Sequence, residues 1–242
     1  MHEQKRYEMQ NSKNKKSEGR ALFFTLPIVA LVIVVCAIIF EQDFINILPL
    51  LISLVVAYLQ SKASRFAFLL GSLNSLIYAV IYFFLKLYAA VVSTLIFSFL
   101  LQLITYITWK KRPSGESTVF RALSKKRRII LGSLLVIVTV ITCYALSLTD
   151  SDLPILDGIG SIVGMSASVA ALLALVEYFP LMMLSRITEF SLYFALMLSD
   201  IKHVTFLIFA IFGLVCQINA LIKAKSLWYE QQTKNSPEAL EK

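Results

Sequence analysis

Asn74 and Tyr78 stand four positions apart, so any helix that carries them shows an amide and a phenol on one face. An amide can both donate to and accept from sugar hydroxyls, and a tyrosine ring can stack on a heteroaromatic base while its hydroxyl finds a polar partner. Arg186 and Glu189 stand three apart on another stretch. They can pair within one helix, or Glu189 can serve as counter-ion to a bound cation. Gln102 and Gln217 each lie near the end of a long apolar run, and Tyr193 repeats Tyr78 at a distance of 115 residues. Each of these also has a structural reading, as an ion pair that lowers its own insertion cost or as polar glue between helices. Together they are the equipment of a solute-binding site. The chain has no G-x-x-x-x-G-K phosphate loop, no nucleophile elbow and no zinc-type histidine motif, which speaks against ATP-driven work and against an enzyme. His2 and His203 are isolated, and Cys36, Cys143 and Cys216 lie in separate apolar runs without metal spacing, so no metal or cofactor is expected.

The elements that must position these groups are membrane helices. Of the 242 residues, 58% are hydrophobic and 16% charged, and the charges fall in short blocks between apolar runs. A run of roughly 20 residues crosses a hydrocarbon core of about 30 Å, and runs without strict alternation exclude a closed barrel. The runs place helices at 21–40, 44–60, 66–85, 88–109, 129–148, 157–176, 180–198 and 203–222. Pro180 suits a first helical turn, and Pro113 with Gly115 marks a central loop. Glu189, nine residues past Pro180, then lies about 13 Å along its helix, near the bilayer centre. The run 21–40 is too long for a secretory signal core and lacks a small-residue cleavage site, so it is expected to be retained as a span.

The net charge of +8 fits membrane topology better than nucleic acid. With the N-terminus cytoplasmic, 20 of the 23 Lys and Arg residues fall inside; Lys86 and Lys202 fall outside, and Arg186 lies within a span. A seven-span arrangement would put the basic central loop outside. The expectation is a multi-pass protein of the cell membrane with eight spans and both termini cytoplasmic. Trp109, ending a helix among lysines, reads as a belt residue at the membrane interface. Gly160, Gly164 and Ser168 recur every four positions and read as a close-packing face.

Residues 44–109 and 157–225 form two three-helix blocks, separated by a basic cytoplasmic loop and linker helix at 110–156. One linker helix makes both blocks enter the membrane from the same side, so any repeat between them is parallel, a known transporter plan. An offset of 115 residues pairs Ser53 with Ser168, Asn74 with Glu189, Tyr78 with Tyr193 and Gln102 with Gln217. The remaining segments are a basic N-terminus at 1–20, an extra N-terminal span at 21–43 and a cytoplasmic tail at 226–242.

The stretch from Ser64 to Trp109, with Gly71-x-x-Asn74, Leu87-Tyr88-Ala89 and Gln102-x-x-x-Tyr106-x-x-Trp109, resembles the Pnu (PnuC-type) vitamin transporters, typified by nicotinamide riboside uptake proteins. That resemblance implies an all-α integral membrane protein with a three-one-three helix core, a SWEET-like parallel repeat, plus the extra N-terminal span. It matches Asn74 to an Asn of the second core helix, and Tyr106 and Trp109 to the aromatic pair that closes the third, with Tyr in place of the first Trp. It implies facilitated diffusion made one-way by phosphorylation of the solute in the cytoplasm. The expected substrate-binding set is Asn74, Tyr78, Gln102, Tyr106, Glu189, Tyr193 and Gln217. The partners expected are a small-molecule solute of the nicotinamide riboside type and the lipid bilayer, with no nucleic acid; assembly of copies through membrane helices is left open. The alternatives are a carrier for thiamine, riboflavin or deoxynucleosides, or a non-transporting membrane scaffold.

Overall fold

Backbone groups that find no water partner in lipid must be satisfied within their own segment, and the apolar runs fold as helices. The computed structural model describes residues 22–42, 44–84, 94–115, 117–148 and 153–234. Within them lie α1 (Leu22–Ile39), α2 (Phe44–Ser61), α3 (Phe66–Phe84), α4 (Leu101–Lys111), α5 (Lys125–Ser147), α6 (Pro154–Leu172), α7 (Tyr178–Ser199) and α8 (Val204–Lys234). A π-helical stretch, Thr94–Leu100, runs directly into α4, and a 3-10 turn, Ile201–His203, precedes α8. The basic N-terminus, the Leu87-Tyr88-Ala89 turn with the expected start of the fourth span, the 149–152 loop and the end of the tail lie outside the described residues.

Leu22–Ile39, Lys125–Ser147, Tyr178–Ser199 and Ile201–Gln232 are each long and apolar enough to cross a membrane, and three shorter apolar stretches accompany them. Three helix ends differ from the expectation by four residues or more, and α6 is one of them, stopping at Leu172. α5 begins inside the basic run, because the Ser124 hydroxyl caps it by accepting from the Arg127 N–H. α8 has 31 residues, about 46 Å, and continues well past residue 222. Hydropathy follows the apolar run and does not register a helix that goes on beyond it.

The helices close into a ring. α2 packs on α3, α3 on α4, α4 on α6, α6 on α7, α7 on α8, and α8 back on α2. The block α2–α4 therefore meets the block α6–α8 along two seams, α4 with α6 and α8 with α2. α6 and α7 touch directly: a Cβ added at Gly160 would meet the Thr188 methyl at 3.5 Å, and one at Gly164 the Ser185 hydroxyl at 3.7 Å. α5 lies outside the ring against α6 with no buried residue of its own. There Gly158 makes room for Cys143, whose Sγ lies 2.7 Å from where a Cβ would stand. α1 lies outside the α2–α8 seam, its Ile33 and Ala37 in one cluster with Leu50, Leu54, Phe209 and Phe212.

The turns after α2 and α6 share one construction. Ala63 and Ala174 have φ of 51° and 53°. The N–H of Ser64 donates to Leu59 O (3.1 Å) and that of Leu175 to Ala170 O (2.9 Å), the six-to-one bond of a left-handed helix cap in both cases. These turns stand 111 residues apart, whereas the sequence offset was 115. A difference of four is one helical turn and leaves every side chain on the same face, so patterning alone does not separate the two registers.

At the end that carries most of the lysines and arginines, the central loop is folded. Pro113–Ser114 pairs with Ser117–Thr118 as a short antiparallel hairpin, with Gly115 at φ 62° in its turn. Arg121 forms a backbone bridge to the α6–α7 turn through the carbonyl of Ala174 (2.9 Å) and the N–H of Val176 (2.8 Å). The Gln231 amide, on the extension of α8, accepts from the Phe120 N–H (2.9 Å) and donates to Ser114 Oγ (3.2 Å) and Thr118 O (3.0 Å). This fold-back corrects the belt reading of Trp109, which is only 1% exposed. Its Nε1–H donates to Ala171 O at 2.7 Å. Its ring meets Phe68 and Phe120 edge-on at 4.8 and 5.4 Å. Phe120, supplied by the loop, covers the side that a helix-only reading leaves to lipid.

Candidate solute cavity

The six ring helices surround a cavity of about 370 Å³, and all six contribute to its wall. That volume lies at the small end of the roughly 300–1,000 Å³ usual for small-molecule sites. Five of the seven expected site residues line it: Asn74 and Tyr78 from α3, Gln102 from α4, and Glu189 and Tyr193 from α7. The other two are not on its wall. Tyr106 is half-buried beside Phe66, their rings 6.1 Å apart. Gln217 is buried and donates from Nε2 to Phe179 O at 3.0 Å, a helix-to-helix tie between α8 and α7. Its place in the last helix of a block left it indistinguishable from Gln102, because the face each presents depends on neighbours that spacing does not specify.

The wall has two chemically different sides. On α2, α3 and the α4 segment it is polar and uncharged, with Ser53, Asn74, Ser75, Thr94, Ser98, Gln102 and Thr105. Several of these hydroxyls return to their own helix: Ser75 donates to Gly71 O (3.0 Å) and Thr105 to Leu101 O (2.7 Å). Asn74 is 6% exposed. Its Nδ2 donates to Pro49 O (3.1 Å) and Ser53 Oγ (2.9 Å), which fixes the orientation of the amide. Its Oδ1 has no partner among the described residues. Three further buried side-chain atoms among the described residues share that state, on Arg65, Ser117 and Glu177, and none of those residues lines the cavity. An unpaired buried acceptor costs about 1–3 kcal/mol, so a donor that reached it from the cavity would recover that cost.

Gln102 is seated by a glycine. Its Oε1 occupies the place where a Cβ on Gly71 would stand. An alanine there leaves the fold intact, because the end of a glutamine can rotate away, but it turns the amide out of its place in the wall. Gly71→Ala is therefore expected to leave the melting temperature within a few degrees and to weaken solute binding by roughly tenfold, the worth of about one hydrogen bond, as read by titration of the purified protein.

The α7–α8 side carries the charge and most of the rings. Arg186 Nη1 donates to Glu189 Oε2 at 2.5 Å, the pairing that their spacing predicts. Arg186 Nη2 donates across the interior to Gln60 Oε1 on α2 at 3.1 Å, and the guanidinium lies 5.6 Å from the centre of the Phe209 ring. Beside the pair stand Tyr193 and Phe206, ring centres 5.4 Å apart, and Tyr178, which packs 6.0 Å from Phe68. Gln60 and Tyr178 were not singled out from sequence. Gln60 lies near the end of its helix and Tyr178 just before Pro180, positions that read as boundary rather than interior.

Among known proteins, the model of a family described as nicotinamide mononucleotide transporter matches residues 43–217, a span that holds every cavity-lining residue and leaves out α1 and the far end of α8. A crystal structure described as that of the vitamin B3 transporter PnuC superimposes with a TM-score of 0.68 at 17% identity, over 87% of this chain and 92% of that one. At that identity the likeness is one of fold. No curated protein matches the chain.

Proposed function

The chain belongs to the nicotinamide mononucleotide transporter family, a family of multi-pass membrane transporters, and from that premise we propose that its solute is a small, unphosphorylated, hydroxyl-bearing organic cation of the nicotinamide riboside kind. Passage is by facilitated diffusion, with phosphorylation after entry preventing return. The observation that carries the reading is the oriented Asn74 amide of a cavity-lining residue, whose buried Oδ1 has no partner among the described residues and would accept from a ribose hydroxyl or a carboxamide N–H that reaches it. Across the cavity, Glu189 offers a carboxylate to a cationic ring, with aromatic side chains to stack on it.

A riboside is favoured over a mononucleotide by charge. Among the described residues the wall carries one cationic side chain, Arg186, and it is already engaged by Glu189 and Gln60. A phosphate would enter without a compensating charge, and desolvation costs several kcal/mol per unpaired ion. Thiamine shares the cationic and hydroxyl-bearing chemistry and is the competing solute.

The same reading makes the core two parallel three-helix blocks joined by α5, eight spans in all with α1 added, and both termini in the cytoplasm. It is supported by the two seams, where the first helix of each block packs on the last helix of the other, and by the repeated turns at Ala63 and Ala174. Three of the four pairs at the 115-residue offset, Ser53 with Ser168, Asn74 with Glu189, and Tyr78 with Tyr193, have both members on the cavity wall, whereas Gln217 does not join Gln102 there. A reporter active only in the cytoplasm is expected to be active when inserted after Pro113 and silent at Ser151; the reverse result overturns the orientation.

Asn74→Ala and Gln102→Ala test the site itself. Each is expected to weaken solute binding by about 1–3 kcal/mol, roughly ten- to a hundredfold, while the protein stays folded and inserted. Unchanged affinity in both variants removes the cavity from the pathway.

A further inference from the structure

Glu189 is already engaged by a neighbour on the cavity wall. Its carboxylate holds the Arg186 guanidinium at 2.5 Å, and the side chains of the pair are 10% and 24% exposed, with Glu189 the more open to the cavity. Arg186 does not depend on Glu189 alone. Its second terminal nitrogen is bound by Gln60 Oε1 at 3.1 Å, its Cζ lies over the Phe209 ring, and its stem passes Gly213, where an added Cβ would meet Cδ, Nε and Nη1 at 3.6–3.7 Å. A guanidinium with three supports can give up one and stay in place.

We infer that Arg186 is the resident cation of the cavity, occupying the position on Glu189 that the positive part of a solute takes, and that cationic solutes bind by exchange with it. When the solute arrives, the guanidinium releases Glu189 and remains on Gln60 and Phe209, so the cavity never holds an unpaired anion, and the loss of the guanidinium's counter-ion is a cost that the solute's own contacts offset. Gln60 belongs to α2 and Arg186 to α7, so the exchange also shifts load onto a contact between the two blocks. Arg186 thereby sets how strongly the protein prefers a cation over a neutral solute of the same shape. A neutral solute leaves the pair intact and is not subject to the competition. The inference rests on the cationic-solute reading above.

Two variants that touch the same guanidinium are expected to act with opposite signs. Arg186→Gln removes the competitor, and Gln60→Leu removes a support that the released guanidinium needs. The measurement is equilibrium binding to the full-length protein in lipid nanodiscs of nicotinamide riboside, a cation, and of its neutral 1,4-dihydro form. The ratio of their affinities is expected to move toward the cation by about tenfold or more in Arg186→Gln, the worth of one charged hydrogen bond, and severalfold toward the neutral form in Gln60→Leu. A ratio unchanged in both variants, or moved the same way in both, overturns the inference and leaves the solute reading standing. If the wild-type protein binds neither probe, the solute reading falls and the inference with it. Where Arg186→Gln does not fold, Gln60→Leu, which deletes one neutral acceptor, decides alone.

Discussion

Replacing Trp109 by alanine is expected to cost about 3–5 kcal/mol, the usual loss for a fully buried large aromatic, and to lower the melting temperature by roughly 10 °C. The indole fills the junction of α4, α6 and α7 beneath the folded 117–124 segment, with Phe68, Phe120 and Tyr178 around it and Ala171 O accepting its N–H. Its removal leaves a cavity at the seam between the two blocks and takes one donor from Ala171 O, which keeps the Ala174 N–H at 2.9 Å. Trp109→Phe keeps most of the ring contact and loses the hydrogen bond, which is worth about 1 kcal/mol. Thermal unfolding of the detergent-solubilised protein separates the two variants. An alanine variant that melts within about 2 °C of the wild type would return Trp109 to the membrane interface, where truncation removes little packing.

Glu189→Gln is expected to weaken a cationic solute by roughly ten- to a hundredfold relative to a neutral one of the same shape, because a charge-assisted contact inside the membrane is worth about 1.5–3 kcal/mol. The substitution also leaves the Arg186 guanidinium with Gln60 as its remaining hydrogen-bond acceptor among the described residues. A stranded buried charge destabilises, so the melting temperature is expected to fall as well, and changing Arg186 and Glu189 together to glutamine is expected to restore it. Restored stability with the cation preference still lost is the signature of a binding carboxylate. Equal loss for charged and neutral solutes, repaired by the double change, would make the pair structural.

The sequence was most legible where a single helix decides the geometry. Asn74 with Tyr78, and Arg186 with Glu189, share faces because of their spacing, and all four line the cavity. The direction in which each face looks was not legible, since that depends on the neighbouring helix. Gln102 and Gln217 have the same chemistry and each lies in the last helix of its block, yet one faces the cavity and the other the carbonyl of Phe179. Trp109 misled for a related reason: lysines follow it, and the residue that covers it, Phe120, comes from a loop whose ties run to Gln231, 111 residues further on. Gln60 carries no signal in the sequence because its role exists only once α2 meets α7. The orphaned Oδ1 of Asn74 is a property of a packed wall, and no pattern along the chain announces it.

Stabilisation of the purified wild-type protein by nicotinamide riboside and by its 5′-phosphate, measured side by side, tests the central claim most directly. A solute that binds the folded state raises its stability by about 2.7 kcal/mol at a hundred times its dissociation constant. The melting temperature is predicted to climb with riboside concentration and to stay flat with the nucleotide over the same range. A nucleotide that stabilises as well as the riboside, or a protein that neither stabilises, would contradict a cavity built for an unphosphorylated cation.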